Sequence, residues 1–151
     1  MSLIVIFMLK WEKLTLGGDL MEQTLVLIKP DAVERNLIGK ILSEYERNGL
    51  KIVEMQLLTA SKTIAAAHYA EHEGKPFYDE LIDYITGGPL VAFVLEGENA
   101  IQRVRALNGA TDPKDAADNT IRALYGIDLS NNTVHASDSA ESAKKEISIW
   151  F

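Results

Sequence analysis

Leu90-Val91-Ala92-Phe93-Val94-Leu95 is an unbroken apolar run entered through Gly87-Gly88-Pro89. Six residues are a strand's length, and a run with no polar member has both faces buried, so this segment reads as the central strand of a sheet. Working outward, Thr24-Leu25-Val26-Leu27-Ile28 is another short apolar run, stopped by the turn Lys29-Pro30-Asp31. Ile38, Ile41, Leu42 and Tyr45 then recur at helical spacing up to Gly49, which reads as a C-terminal cap. Residues 50–59 form the next strand, Ser61 caps a helix that runs through Tyr69, and residues 77–85 continue as helix. Beyond the central strand come a helix at 99–107, a long loop at 108–120, and a fourth strand at 133–135 before the final helix. The order βαββαβ, with an extra helical pair after the second strand, predicts an α+β fold. It is a ferredoxin-like sandwich, a four-stranded antiparallel sheet covered by helices. Residues 21–151 make one domain, with no repeat or linker to divide them.

The chain has 151 residues, enough for a core without covalent staples. Cysteine is absent, which excludes a disulfide framework, thiol chemistry and Cys-based zinc sites. Lys and Arg number 15 against 22 Asp and Glu, a formal charge of −7. That balance disfavours a general binder of nucleic-acid backbones. Phosphate could still be held by a few focused cations, because nearby groups set the field in a cleft more than net charge does.

The first twenty residues stand apart. The apolar run 3–9 is far short of the roughly 20 residues that span a bilayer, and it lacks the basic flank and cleavage site of a secretory signal. Met21 directly precedes the first strand, and Gly17-Gly18-Asp19 can be encoded by a purine-rich stretch resembling a ribosome-binding site. Residues 1–20 are accordingly expected to be a translated leader outside the fold, the alternative being an extra strand or arm that packs on a neighbouring subunit.

Asn132-Thr133-Val134-His135-Ala136-Ser137-Asp138-Ser139 puts a single imidazole at the end of a strand, directly before a helix rich in Ser and carboxylates. Histidine in such a setting can be an activated nucleophile once a neighbouring acceptor fixes its tautomer. With Glu146 further along, this segment resembles the active-site signature of the nucleoside diphosphate kinases. The resemblance extends over residues 21–151 in one order. Lys29-Pro30-Asp31 is similar to the family's first-strand motif. His68-Tyr69 and Lys75-Pro76-Phe77 resemble its helical hairpin, and Gly87-Gly88-Pro89 the turn before its third strand. Gly109-Ala110-Thr111-Asp112-Pro113 with Thr120-Ile121-Arg122 resembles its long loop.

The resemblance implies transfer of a γ-phosphate from a nucleoside triphosphate to a nucleoside diphosphate, by a ping-pong mechanism through a phosphohistidine at His135. It assigns Lys29, Arg105 and Arg122 to the phosphates as cations, with hydroxyl donors from Tyr69 and Thr111. Asn132 is assigned to the sugar hydroxyl, and Glu146 to orienting the imidazole with support from Ser137. Phe77 would stack the base, and Leu129 would form the opposite wall. Mg²⁺ is expected on the nucleotide's phosphates and waters, with no protein metal site. The partners implied are ATP and other nucleoside di- and triphosphates, in a cytoplasmic homo-oligomer, hexamer or tetramer, built from dimers. Neither nucleic acid nor membrane is expected.

Blander readings apply to single residues. A lone histidine near a helix start is usually satisfied locally, Arg105 and Arg122 taken alone would be solvated face, and Phe77 would ordinarily be core. His68 and His72 stand i,i+4, but Glu71 is misplaced for a metalloprotease helix and no third ligand suggests itself. Gly39-Lys40 lacks the Gly and Ser/Thr of a P-loop, having Glu34 and Ile41 instead. Two departures from the family stand out. Ala123-Leu124 replaces Gly-Asp after Arg122, which bears on loop packing, and Ala136 follows the histidine where many members have Gly, which requires φ < 0 there. A nucleotide-binding scaffold of the same fold without turnover is the runner-up function.

Overall fold

The computed structural model describes residues 12–14 and 20–151, with side chains from Met21 onward. In chain order the strands are β1 (Glu12–Leu14), β2 (Leu20–Ile28), β3 (Lys51–Leu58), β4 (Leu90–Glu98) and β5 (Val134–Ala136). The helices are α1 (Pro30–Glu34), α2 (Ile38–Arg47), α3 (Lys62–His68), α4 (Tyr78–Thr86), α5 (Ala100–Asn108), α6 (Ile121–Tyr125) and α7 (Ala140–Trp150). Single 3₁₀ turns lie at Ala70–His72 and Pro113–Asp115.

The two apolar runs pair with each other, β2 antiparallel to β4 from Met21 opposite Glu98 to Ile28 opposite Val91. β3 takes the far edge of β4, while β5 pairs with Val26–Ile28 of β2, every pairing antiparallel. The order β3-β4-β2-β5 is that of a ferredoxin-like βαββαβ sandwich, as the alternation of elements predicts. β1 lies beside residues 20–22 on the edge of β2 that β5 also uses. The expectation of a leader at residues 1–20 otherwise falls outside the described residues.

Period-two alternation divides the core between the two faces of the sheet. Val26, Ile28, Val91, Phe93 and Leu95 pack with Ile41 and Tyr45 of α2 and Val104 of α5. Leu25, Leu27, Leu90, Ala92 and Val94 pack on the other side with Ala65 of α3, Ile85 of α4, and Ile147 and Trp150 of α7. Helices on both sides explain why residues 90–95 contain nothing polar. Each fully buried large side chain there contributes about 1.5–3 kcal/mol. Edge strand β3 is different: Met55 and Leu57 remain exposed.

Local signals hold at the element ends. Gly49 at φ +78 closes α2, its N–H bonded to Glu46 O and that of Leu50 to Tyr45 O, the paired bonds of a Schellman cap. The turn read at 29–31 and the unassigned stretch after the long loop each lead into a short helix. Pro30 begins α1 at the position where its missing N–H costs nothing, and Thr120 Oγ1 caps α6 by accepting from the Ala123 N–H at 3.3 Å. Leu124 in α6 is exposed, so the apolar replacement after Arg122 displaces nothing in the core.

Candidate active site

In β5, His135 stands opposite Leu27, and paired residues of antiparallel strands share a face. Its side chain therefore lies on the Leu27 side, toward α3 and α7, while Val134 and Ala136 enter the opposite core cluster. Ala136 is not among the positive-φ residues, so its methyl is accommodated as the sequence requires. α7 starts at a capping box in which Ser139 and Ser142 bond each other's backbone. Its buried stripe is Ala143, Glu146, Ile147 and Trp150, which places one carboxylate in an otherwise apolar face.

Glu146 Oε1 meets His135 Nε2 in a short contact. An ionised carboxylate only accepts, so Nε2 carries the proton and Nδ1 keeps its lone pair. Burial raises the Glu146 carboxyl above its ordinary value, while a hydrogen bond from the buried Ser137 opposes the rise. Ser137 Oγ also accepts the Leu25 N–H at 3.3 Å, which ties this support to β2. Burial, then the charges of Lys29 and Arg122, hold the His135 imidazole well below the usual histidine range. It is thus a neutral ring with an available lone pair.

Lys29, at the end of β2, donates from Nζ to Asn132 Oδ1 at 2.8 Å, and Asn132 Nδ2 donates to Thr111 O at 3.0 Å. Burial and the neighbouring Arg122 push the ammonium down to about 8, with Asp31 opposing. Arg122 donates from Nη1 to Gly109 O and from Nη2 to Val134 O, both at 2.8 Å, stapling the Thr111 loop to β5. The second N–H on each of these nitrogens is left for a ligand.

Between Asn132 and His135 the backbone turns sharply. Thr133 sits at φ +80, with the Val134 N–H bonded back to Asn132 O at 2.9 Å in the manner of a γ-turn. A β-branched residue at positive φ costs about 1–3 kcal/mol, so the surroundings must hold it. The Lys29 N–H bonds Thr133 O at 2.9 Å, and Thr133 Oγ1 lies 3.1 Å from both Asp31 Oδ2 and Tyr125 O. Asp31 is further bonded by Arg35 at 3.1 Å and by the Tyr84 hydroxyl. This acid–hydroxyl–guanidinium network adjoins Lys29, whose ammonium lies 6.0 Å from the Tyr84 ring centroid.

Lys29, Tyr69, Arg105, Thr111, Arg122, Asn132, His135 and Glu146 all line one cleft of about 600 Å³. Ser137 stands behind it, fully buried. Phe77 and Leu129 lie outside this lining and are 45% and 59% exposed. The ring of Phe77 instead meets that of His72 at 5.5 Å and the Lys75 ammonium at 5.9 Å. The cleft also takes in residues that sequence reasoning did not assign, among them His68, Asp138, Ser139 and Lys145. The only sequence cue for His68 was its adjacency to Tyr69. His68, His135 and Glu146 each offer a ligand atom within 4.8 Å of the others, a set that could hold a metal ion. His72 is not part of that set, so the i,i+4 histidine pair does not converge.

A family model described as nucleoside diphosphate kinase matches residues 22–151. The chain is 57% identical over 131 residues to a nucleoside diphosphate kinase of Thermobifida fusca, covering 87% of this chain and 97% of that one. The solved nucleoside diphosphate kinase of Aquifex aeolicus superposes with a TM-score of 0.84 at 43% identity, over 87% of this chain and 95% of its own. That of the halophile Halobacterium salinarum, in complex with CDP, also gives 0.84, at 47% identity over 86% and 87%. On the match over residues 22–151 and the 57% identity across nearly the whole of a relative, the chain belongs to the nucleoside diphosphate kinase family.

Proposed function

We propose that this protein is a nucleoside diphosphate kinase that works in two half-reactions through phospho-His135. The observation that carries the reading is the neutral imidazole whose Nε2 is engaged by Glu146 and whose Nδ1 is unshared, in one cleft with Lys29, Arg105 and Arg122. In the first half-reaction the Nδ1 lone pair forms a bond to the γ-phosphorus. The bond from that phosphorus to the bridging oxygen breaks, and its electron pair leaves on the nucleoside diphosphate. The Nε2 proton stays in place, and the Glu146 carboxylate offsets the positive charge that the ring gains. In the second half-reaction a terminal phosphate oxygen of the acceptor attacks phosphorus, and the N–P pair returns to Nδ1. Lys29, Arg105 and Arg122 offset the charge spread over the transferring group, with hydroxyls of Tyr69 and Thr111 beside them. Asn132, already tied to Lys29, would meet the sugar hydroxyl.

A cleft lined by Lys29, Arg105, Arg122 and Lys145 suits a metal carried by the nucleotide's own phosphates and waters better than one held in a protein cage. When bound, Mg²⁺ supplies charge neutralisation on those phosphate oxygens. Phe77 and Leu129 take the base at the cleft's outer edge, apart from the polar groups. A homo-oligomer built from dimers, tetramer or hexamer, accounts for the large apolar side chains exposed at Met55 and Leu57 on β3 and at Leu124 and Ile127. Among the described residues no helix is long and apolar enough to cross a membrane. We assign the protein to the cytoplasm, where its nucleotide substrates are, and its natural start to Met21. Finding Met1 or Ser2 at the N-terminus of protein from the native host would overturn the latter.

Incubation with γ-labelled ATP and Mg²⁺ should leave an acid-labile label on the protein that a GDP chase removes as GTP. His135→Ala should abolish labelling and exchange while nucleotide binding persists. Label retained in that variant would overturn the assignment, and nucleotide binding without labelling of the wild type would favour a scaffold.

A further inference from the structure

His68 takes no part in the transfer just described, yet it stands against the nucleophile. It ends α3, and its ring meets that of His135 edge-on, the centroids 4.6 Å apart. On its other side Trp150, which closes α7, donates the indole N–H to His68 Nδ1 at 3.2 Å. Indole nitrogen can only donate, so Nδ1 must present a lone pair. Burial, then the proximity of His135, holds the His68 ring far below its usual range and keeps it neutral. A neutral ring accepting at Nδ1 must carry its single proton on Nε2. That N–H is the polar atom left to the ring, and one ring nitrogen of His68 lies within 4.8 Å of ligand atoms on His135 and Glu146.

We propose that His68 is a positioning residue for the transfer, locked by Trp150 as the Nε2–H tautomer so that it offers a donor, never an acceptor, to the His135–Glu146 pair. The tautomer matters because the opposite one would turn a lone pair toward the Glu146 carboxylate and repel it from His135 Nε2. It would also set an acceptor beside His135 that competes with Glu146 for the Nε2 proton. The same lock argues against a metal on the three residues. A metal on His68 Nε2 would need both ring nitrogens to act as acceptors, which only the imidazolate anion provides.

The inference rests on His135 as the nucleophile, and the test keeps the two apart. Long-range ¹H–¹⁵N NMR of the full chain labelled at histidine reads each tautomer directly, and with 3 histidines the spectrum is assignable by single substitutions. His68 should show the Nε2–H pattern at pH 7, and Trp150→Phe should convert it to a mixture. An Nδ1–H or doubly protonated His68 in the wild type would overturn the proposal whether or not any variant folds. His68→Ala should lower kcat about 10–100-fold with KM little changed, by analogy with the loss of outer partners from metal-bound imidazoles. His68→Gln, whose amide can reproduce the donor, should restore most of that loss. Equal activity in the two variants would also overturn the proposal. Failure of ATP to label His135 would instead remove the functional reading beneath it.

Discussion

The Lys29 ammonium donates to the Asn132 side-chain carbonyl at 2.8 Å, across 103 residues of sequence. The contact aims a buried charge into the cleft before any ligand arrives, and the cost appears in the lysine's acidity. In the free protein Lys29 releases its proton near pH 8, whereas in the unfolded chain it holds on to 10.5. Between those values the unfolded state binds the additional proton, so this group raises stability with pH through that window. Below pH 8 it carries its full burial cost.

Bound phosphates should return Lys29 toward its ordinary value. Binding of a nucleoside diphosphate at pH 8 to 9 should therefore take up protons, and affinity should fall as the pH passes 8. Titration calorimetry in two buffers of different ionisation enthalpy measures the uptake. Identical apparent enthalpies would show that Lys29 does not face the phosphates.

Removing that charge should be costly at the transfer step. Lys29→Ala should lose about 10²–10³ in kcat, the usual cost of deleting one preorganised donor to a developing anion. Activity within twofold of wild type would make Lys29 structural.

Thr133 holds a positive φ with its hydroxyl between Asp31 and the Tyr125 carbonyl. Thr133→Val keeps the shape but leaves a buried carboxylate oxygen short of a partner. It should destabilise the fold by about 1–3 kcal/mol in urea unfolding, with the denaturant slope unchanged. Unaltered stability would mean that Arg35 and Tyr84 alone satisfy Asp31.

In the proposed function Phe77 and Leu129 offer apolar surface to a base, and no polar group of the cleft is assigned to the base edge. Stacking tolerates any base, whereas discrimination needs a hydrogen-bonding group that the wrong base leaves unpaired. ADP, GDP, CDP and UDP should thus serve as acceptors within roughly 30-fold in kcat/KM, about 2 kcal/mol, purines leading. Phe77→Ala should raise KM for all four and narrow the purine lead. A preference beyond about 10³ for one base would require a base-reading side chain.

Strand and helix assignments along the chain rest on local regularities that a sequence displays openly. The polar-free run 90–95 and the apolar run 24–28 pointed to strands of a sheet covered on both faces. The motif around His135 pointed to its chemistry, because nucleophile, Ser137 and Asn132 are close neighbours in the chain. The short helices α1 and α6 were not legible. Each is five residues long, too brief to show a period, and rests on a cap and tertiary packing.

What only the tertiary structure decided are the pairings between distant elements. His135 faces Glu146 and His68 because β5 pairs with β2 in the register that sets it opposite Leu27. Trp150 reaches His68 across 82 residues because α7 packs on the same sheet face as α3. The acidity of Lys29, the tautomer of His68 and the turn at Thr133 all follow from those juxtapositions. Each depends on burial and on partners brought from remote parts of the chain. Neither quantity exists until the sheet order is set, since desolvation and hydrogen bonding act through space and not along the sequence.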